Sequence, residues 1–174
     1  MAATIQGVSR EAVMALLQTV PDPEIPVVSI EELGILRDVH ILDDTVEVVI
    51  TPTYSGCPAM QAIEEDICSA LRAGGIARVS VRTVLSPAWS SDWITQAGRD
   101  KLRAYGIAPP QPALPSSSQV LRFIRMPAAR ASAPDCPHCG SRDTELLSEF
   151  GSTSCKALYR CTACREPFDY FKPY

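Results

Sequence analysis

The sequence predicts an α+β fold: a small mixed sheet with helices, followed by a separate four-cysteine zinc-ribbon domain. Three observations carry this reading. Two runs rich in β-branched residues meet at Asp43-Asp44, and an amphipathic helical stretch and a third such run follow them. A Pro- and Ser-rich stretch then interrupts the pattern. Beyond it lie two Cys-x-x-Cys pairs. The expected organisation is an α+β domain at 1–106, a linker at 107–134 and the ribbon at 135–174.

Ser9 is placed to cap a helix through Val20, with Val13, Met14, Leu17 and Val20 on one face. Pro21 and Pro23 stop that helix. The segment Asp22-Pro23-Glu24-Ile25-Pro26 reads as a stiff extended loop, because prolines lack donors and restrict the residues before them. Val28–Leu33 reads as a short helix ended by Gly34. Strands at 35–42 and 46–51 form an antiparallel hairpin. Thr51 to Pro58 is a loop opening a helix at about 59–73, with Ile63, Ile67, Ala70 and Leu71 inward and Gly74-Gly75 as the stop. A strand at 76–84 would run parallel to its neighbour through a crossover. Trp89 and Trp93 read as packing anchors before a helix at about 95–105, closed by Gly106. Six of the fifteen prolines and Ser116-Ser117-Ser118 mark the linker. Within it, Leu121–Met126 is an apolar patch suited to a docking strand or a partner contact.

Composition narrows the function classes. The chain has 174 residues, 46% of them hydrophobic, and seven cysteines. An odd cysteine count, with five between 136 and 164 and no export signal at Met1–Arg10, favours metal or thiol chemistry in the cytoplasm over disulfides. No apolar run approaches the ~18 residues of a membrane span. Residues 1–106 carry 8 basic and 14 acidic side chains, residues 107–134 three arginines and no acid, and residues 135–174 5 basic and 6 acidic. No basic face emerges to displace counterions from phosphate, so nucleic acid is not an expected partner.

Cys136-Pro137-His138-Cys139 and Cys161-Thr162-Ala163-Cys164 are the metal-ligand candidates. Each pair can form a knuckle aiming two sulfurs at one ion, and the intervening length suits a strand out and a strand back. Four thiolates suit structural zinc, with iron as the alternative. A ribbon this small has too few apolar residues to fold on a core alone. His138 should face outward. Cys155, in a turn-like stretch, reads either as an inert buried thiol or as one made reactive by Lys156. In the first domain, Cys57 precedes Pro58 at a helix start, where the helix dipole would favour a thiolate. Asp22 and Glu24 lie in the proline loop and could join Cys57 in holding a soft metal. Cys68 reads as core. No arrangement of His40 or His138 supports a catalytic triad.

Asp22-Pro23-Glu24-Ile25-Pro26, Glu32-Leu33-Gly34 and Thr51-Pro52-Thr53-Tyr54-Ser55-Gly56-Cys57-Pro58 resemble the signature of SufT-like iron–sulfur assembly domains, also present in cytosolic iron–sulfur targeting factors. Pro87-Ala88-Trp89 is similar to a later motif of that family, in which an aspartate usually precedes the proline. Ser86 stands there instead, so no carboxylate role is carried over. The ribbon segments Ser148–Thr153, Cys155–Cys161 and Arg165–Lys172 resemble the PaaD family, accessory components of bacterial phenylacetyl-CoA epoxidase. That enzyme is a multicomponent oxygenase with a di-iron catalytic subunit and an iron–sulfur flavoprotein reductase.

The resemblance implies a maturation factor in aerobic phenylacetate degradation, without catalysis of its own, that helps assemble or insert a cluster in the reductase. It implies Cys57 as the reactive cysteine, Asp22 and Glu24 as the acidic loop, zinc in the ribbon and a transient iron or cluster at Cys57. Reductase and oxygenase subunits are the implied partners, and a cluster bridged by Cys57 from two chains would require a homodimer. Two other readings stand beside this one: a structural subunit of the oxygenase, and a thiol enzyme using Cys57 or Cys155.

Overall fold

The computed structural model describes residues 9–42, 45–111 and 133–174. The Asp43-Asp44 turn, the serine run and the Leu121–Met126 patch lie outside the described residues. Two compact units are present, one running to Lys101 and including Tyr174, the other spanning Leu102–Pro173.

In the first unit, helix α1 (Arg10–Leu17) begins at Ser9, whose hydroxyl accepts from the Ala12 N–H. Strands β1 (Leu36–Leu42) and β2 (Thr45–Ile50) pair antiparallel, and β2 pairs parallel with β3 (Val79–Thr83). This is the expected mixed sheet, in the order β1-β2-β3. Helix α2 (Met60–Ala73) connects β2 to β3. It ends in a Schellman turn: Gly75 adopts φ 88°, its N–H bonds the Arg72 carbonyl, and the Ile76 N–H reaches back to Leu71. Val13, Leu17, Val46, Val48, Ile50, Ile63, Ile67 and Leu71 are fully buried and form the core. Helix α3 (Gln96–Ala104) follows, and Gly106 closes it at φ 91°.

The helix expected at Val28–Leu33 is not formed. Ser29 instead makes an isolated antiparallel bridge with Pro21, and the Ile30 N–H bonds the Val20 carbonyl. The Asp22 N–H also donates to the Val28 carbonyl, an acceptor that a helix would pair with the Glu32 N–H, leaving turns that end at Gly34.

The second unit is a four-stranded sheet in the order β4-β7-β6-β5, built from Ile107–Ala108, Thr144–Ser148, Lys156–Cys161 and Pro167–Phe171 as β4, β5, β6 and β7. β5 and β6 are the expected strand out and strand back. β7 and β4 are additions to that expectation, and β4 lies at the start of the stretch read as linker. Ala108, Cys136, Cys161 and Phe168 form a small buried cluster with Tyr159 and Tyr170 against it. Among the described residues no helix is long and apolar enough to cross a membrane.

Candidate functional site

The two Cys-x-x-Cys pairs converge. The Sγ atoms of Cys136, Cys139, Cys161 and Cys164 all lie within 4.8 Å of one another, and among the described residues they form the one such group of three or more metal-ligand side chains. Cys136 and Cys164 sulfurs are 3.7 Å apart, Cys139 and Cys161 sulfurs 3.6 Å. A tetrahedron of ~2.3 Å metal–sulfur bonds has edges of about 3.8 Å, so this donor set fits one ion without rearrangement. Local backbone explains the fit. In the first knuckle the Gly140 N–H bonds the Cys136 carbonyl, and Gly140 has φ 73°. In the second, Arg165 holds the matching left-handed position at φ 67°, and the Cys164 N–H points at the Cys161 sulfur at 3.5 Å.

The four thiols are unequal before a cation arrives. The Cys164 N–H favours ionised Cys161, and despite burial, further bonds from Ala163, Cys139 and Cys164 bring it down to about 6. At Cys164 the Glu166 N–H favours the thiolate, but burial and the neighbouring sulfurs overcome it and push it up to about 12. Without metal, four thiolates this close repel one another. A cation lets all four ionise together, and it would release protons on binding.

Of the other candidates, Cys57 lies on the Thr51–Pro58 loop, and Asp22 and Glu24 lie on the proline loop whose charges reach it. Cys57 is half-buried, three residues before α2. Its N–H bonds the Tyr54 carbonyl at 3.3 Å. The expected thiolate is not favoured there. Burial pushes the Cys57 thiol up; the Ala59 N–H and the Tyr54 side chain oppose this, but the negative charges of Glu24 and Asp22 add to it. The helix dipole is too small an effect beside desolvation and two carboxylates. Burial is the larger cause; the smaller part that comes from Glu24 and Asp22 has the sign that would favour a cation at the same place, where binding would displace the thiol proton.

Asp22 is buried, and its Oδ1 accepts from the Glu24 and Ile25 N–H groups at 2.9 and 2.8 Å. Its first task is therefore to fold the proline loop. Asp22, Glu24 and Cys57 share an electrostatic neighbourhood, but their ligand atoms do not converge as the ribbon sulfurs do. Asp22→Ala should destabilise the chain by about 1–3 kcal/mol, read from thermal or urea unfolding, because two N–H groups, one buried and one partly buried, lose their acceptor. Cys57 should alkylate more slowly than a free cysteine at pH 7.5. Its rate should climb only above the ordinary value of about 8.5, read peptide by peptide by mass spectrometry, since a raised pKa leaves less thiolate at any given neutral pH.

Comparison with known proteins fits both halves of this arrangement. The iron–sulfur cluster assembly protein family matches residues 10–83, and the PaaD zinc beta ribbon domain matches residues 125–172. An Escherichia coli K12 protein, provisionally named as a subunit of 1,2-phenylacetyl-CoA epoxidase, is 45% identical over 98% of this chain and 96% of its own length. This chain belongs to the PaaD family. An iron–sulfur protein maturation auxiliary factor of Porphyromonas gingivalis is 32% identical over 51% of this chain and 85% of its own. A solved domain of unknown function from Bacillus anthracis is 27% identical, covering 53% of this chain and 89% of that one at a TM-score of 0.49.

Several residues of this PaaD-family chain gain structural roles that sequence reasoning missed. Glu32 binds Lys101 Nζ at 2.6 Å and accepts from the Ser29 N–H, which outweighs burial and holds its carboxyl below the usual range. Leu33 offers its carbonyl to Trp89 Nε1 at 3.0 Å. Gly34, at φ 70°, lies so close to Trp93 that a Cβ would sit 2.6 Å from that side chain. The Glu32-Leu33-Gly34 motif is thus a clamp on Trp89, Trp93 and Lys101, and no spacing rule announces it. Trp89 is buried, as expected of an anchor, and the Arg37 guanidinium lies 3.5 Å from the centre of the Trp93 ring. Cys68 is half-buried on α2 rather than in the core, and His138 is exposed as expected.

Cys155 is buried, with its sulfur 3.0 Å from Thr153 Oγ1, and stands outside the metal group. The lysine expected to activate it is engaged elsewhere: Lys156, itself buried, lies 3.8 Å from Asp169. Thr51 is also buried, and among the described residues its Oγ1 is the buried side-chain N or O atom without a hydrogen-bond partner.

Proposed function

We propose that this protein is a maturation factor of a phenylacetyl-CoA epoxidase system, delivering iron or an iron–sulfur cluster through Cys57 to the reductase component. The ribbon holds zinc and contacts the client. The observation that carries this reading is the setting of Cys57: a half-buried thiol kept protonated by burial and by the charges of Glu24 and Asp22. Such a group is a poor nucleophile at neutral pH but a good acceptor of a cation, which weighs against a thiol enzyme. The iron–sulfur assembly match over residues 10–83 and the maturation-factor relative support the same direction. The test is the cluster content of reductase produced alongside wild-type or Cys57→Ala chain. A fall in the mutant is expected, and full occupancy with Cys57→Ala would sink the reading.

The name of the Escherichia coli relative, which makes it part of the epoxidase, favours a second reading, a non-catalytic structural component of the oxygenase. Stable co-purification with the catalytic subunits, unaffected by Cys57→Ala, is the result that would select it.

A further inference from the structure

A cleft beside the thiol loop is not used by metal delivery. Its cavity of about 440 Å³ lies within the range of about 300–1,000 Å³ typical of ligand sites. It is lined by the Thr51–Ser55 loop together with Leu85, Ala88, Trp89 and Tyr174. Among the described residues no charged side chain lines it, so a phosphate ester or carboxylate would find no counter-charge there.

The wall is suited to aromatic residues. Trp89 is fixed by its indole bond to Leu33, and the Tyr174 ring packs edge-on against it, with centroids 6.2 Å apart at 66°. Ser91 holds the same tyrosine by its main chain, its N–H and hydroxyl donating to the Tyr174 carbonyl at 3.2 and 3.4 Å. One aromatic residue of this chain is therefore already held at this wall by its ring and its main-chain oxygen together. Beside it the cavity remains, and Leu85 and Tyr174 stay exposed at its rim. Thr51, buried with an unpartnered hydroxyl, is among the lining residues. Tyr54, another lining residue, joins the cleft to Cys57, through its carbonyl on the Cys57 N–H and its side chain on the thiol.

We propose that this cleft seats an aromatic side chain carried by a partner polypeptide, bringing that polypeptide beside Cys57. The role in delivery rests on the function proposed above; the binding itself does not.

The test is titration of the ¹⁵N-labelled full chain with three probes: N-acetyl-phenylalanine amide, N-acetyl-glycine amide and phenylacetamide. The phenylalanine amide should saturably shift the Trp89 indole N–H and the amides of Thr53, Tyr54 and Ala88. The glycine amide should not, and phenylacetamide should bind several-fold more weakly because it lacks the peptide unit. Leu85→Ala should weaken binding several-fold and Ala88→Leu should block the cleft; both residues are exposed, so the fold is not at stake. Absence of saturable shifts, or unchanged affinity in both variants, overturns the proposal. Equal binding of phenylacetamide also overturns it, in favour of a small aromatic ligand. Failure here leaves the iron content of wild-type and Cys57→Ala protein untouched, and failure of the Cys57 reading leaves these shifts untouched.

Discussion

Cys161→Ser should strip the ribbon of its metal and unfold it. Elemental analysis should fall from one tightly bound ion per chain to near none, and amide exchange across β5, β6 and β7 should lose its protection. The size of the effect follows from what else holds this unit. Around the sulfurs it buries Ala108 and Phe168 with Cys136 and Cys161, and Ile107, Ala157 and Phe171 are also buried in this unit. A core of that size supplies no more than the ~3–5 kcal/mol of a small domain, whereas metal binding in comparable sites contributes roughly 10–16 kcal/mol. Cys161 is the severest choice because it is fully buried and is the thiol most readily ionised. Cys155→Ser, at a buried thiol outside the metal group, should leave the metal content unchanged. If Cys161→Ser kept its metal and its exchange protection, the four-sulfur site would not be what folds the ribbon.

Cys57→Ala should leave the ribbon metal in place and abolish the uptake of iron supplied anaerobically to the purified protein. The cluster content of the reductase should fall by about tenfold or more, the scale on which removing a group at a metal site acts. A second substitution separates a metal acceptor from a nucleophile by the sign of its effects. Glu24→Gln removes one of the charges that raise the Cys57 pKa. Alkylation of Cys57 should therefore quicken at pH 7.5, since more thiolate is present, while iron binding should weaken, since the cation loses a favourable charge. Parallel changes in both readouts would mean that the loop acts on the thiol in some other way.

Spacing alone exposed the ribbon ligands, because a Cys-x-x-Cys knuckle is local and its two sulfurs must point the same way. The mixed sheet was legible for a similar reason. β-branched runs and an amphipathic helix fix the order β1, β2, α2, β3, and a parallel β2–β3 pair needs the crossover that α2 provides. Local pattern failed at Val28–Leu33, where helical spacing lost to the bridge between Ser29 and Pro21. It also failed at β4, where two residues gain strand structure only by pairing with β7, some sixty positions later.

The sequence by itself singled out the candidates: four ribbon cysteines, and Cys57 on a loop with an acidic neighbour loop upstream. Only the tertiary structure decided their electrical state. Helix-end reasoning favours a thiolate at Cys57, yet burial and the approach of Glu24 and Asp22 across more than thirty residues of chain keep it a thiol. Likewise, adjacency suggests Lys156 as an activator of Cys155, but the pairing of β6 with β7 puts Asp169 within its reach. Identity and spacing are properties of the chain, whereas a pKa depends on every charge and every displaced water around the group, and those are set by the fold.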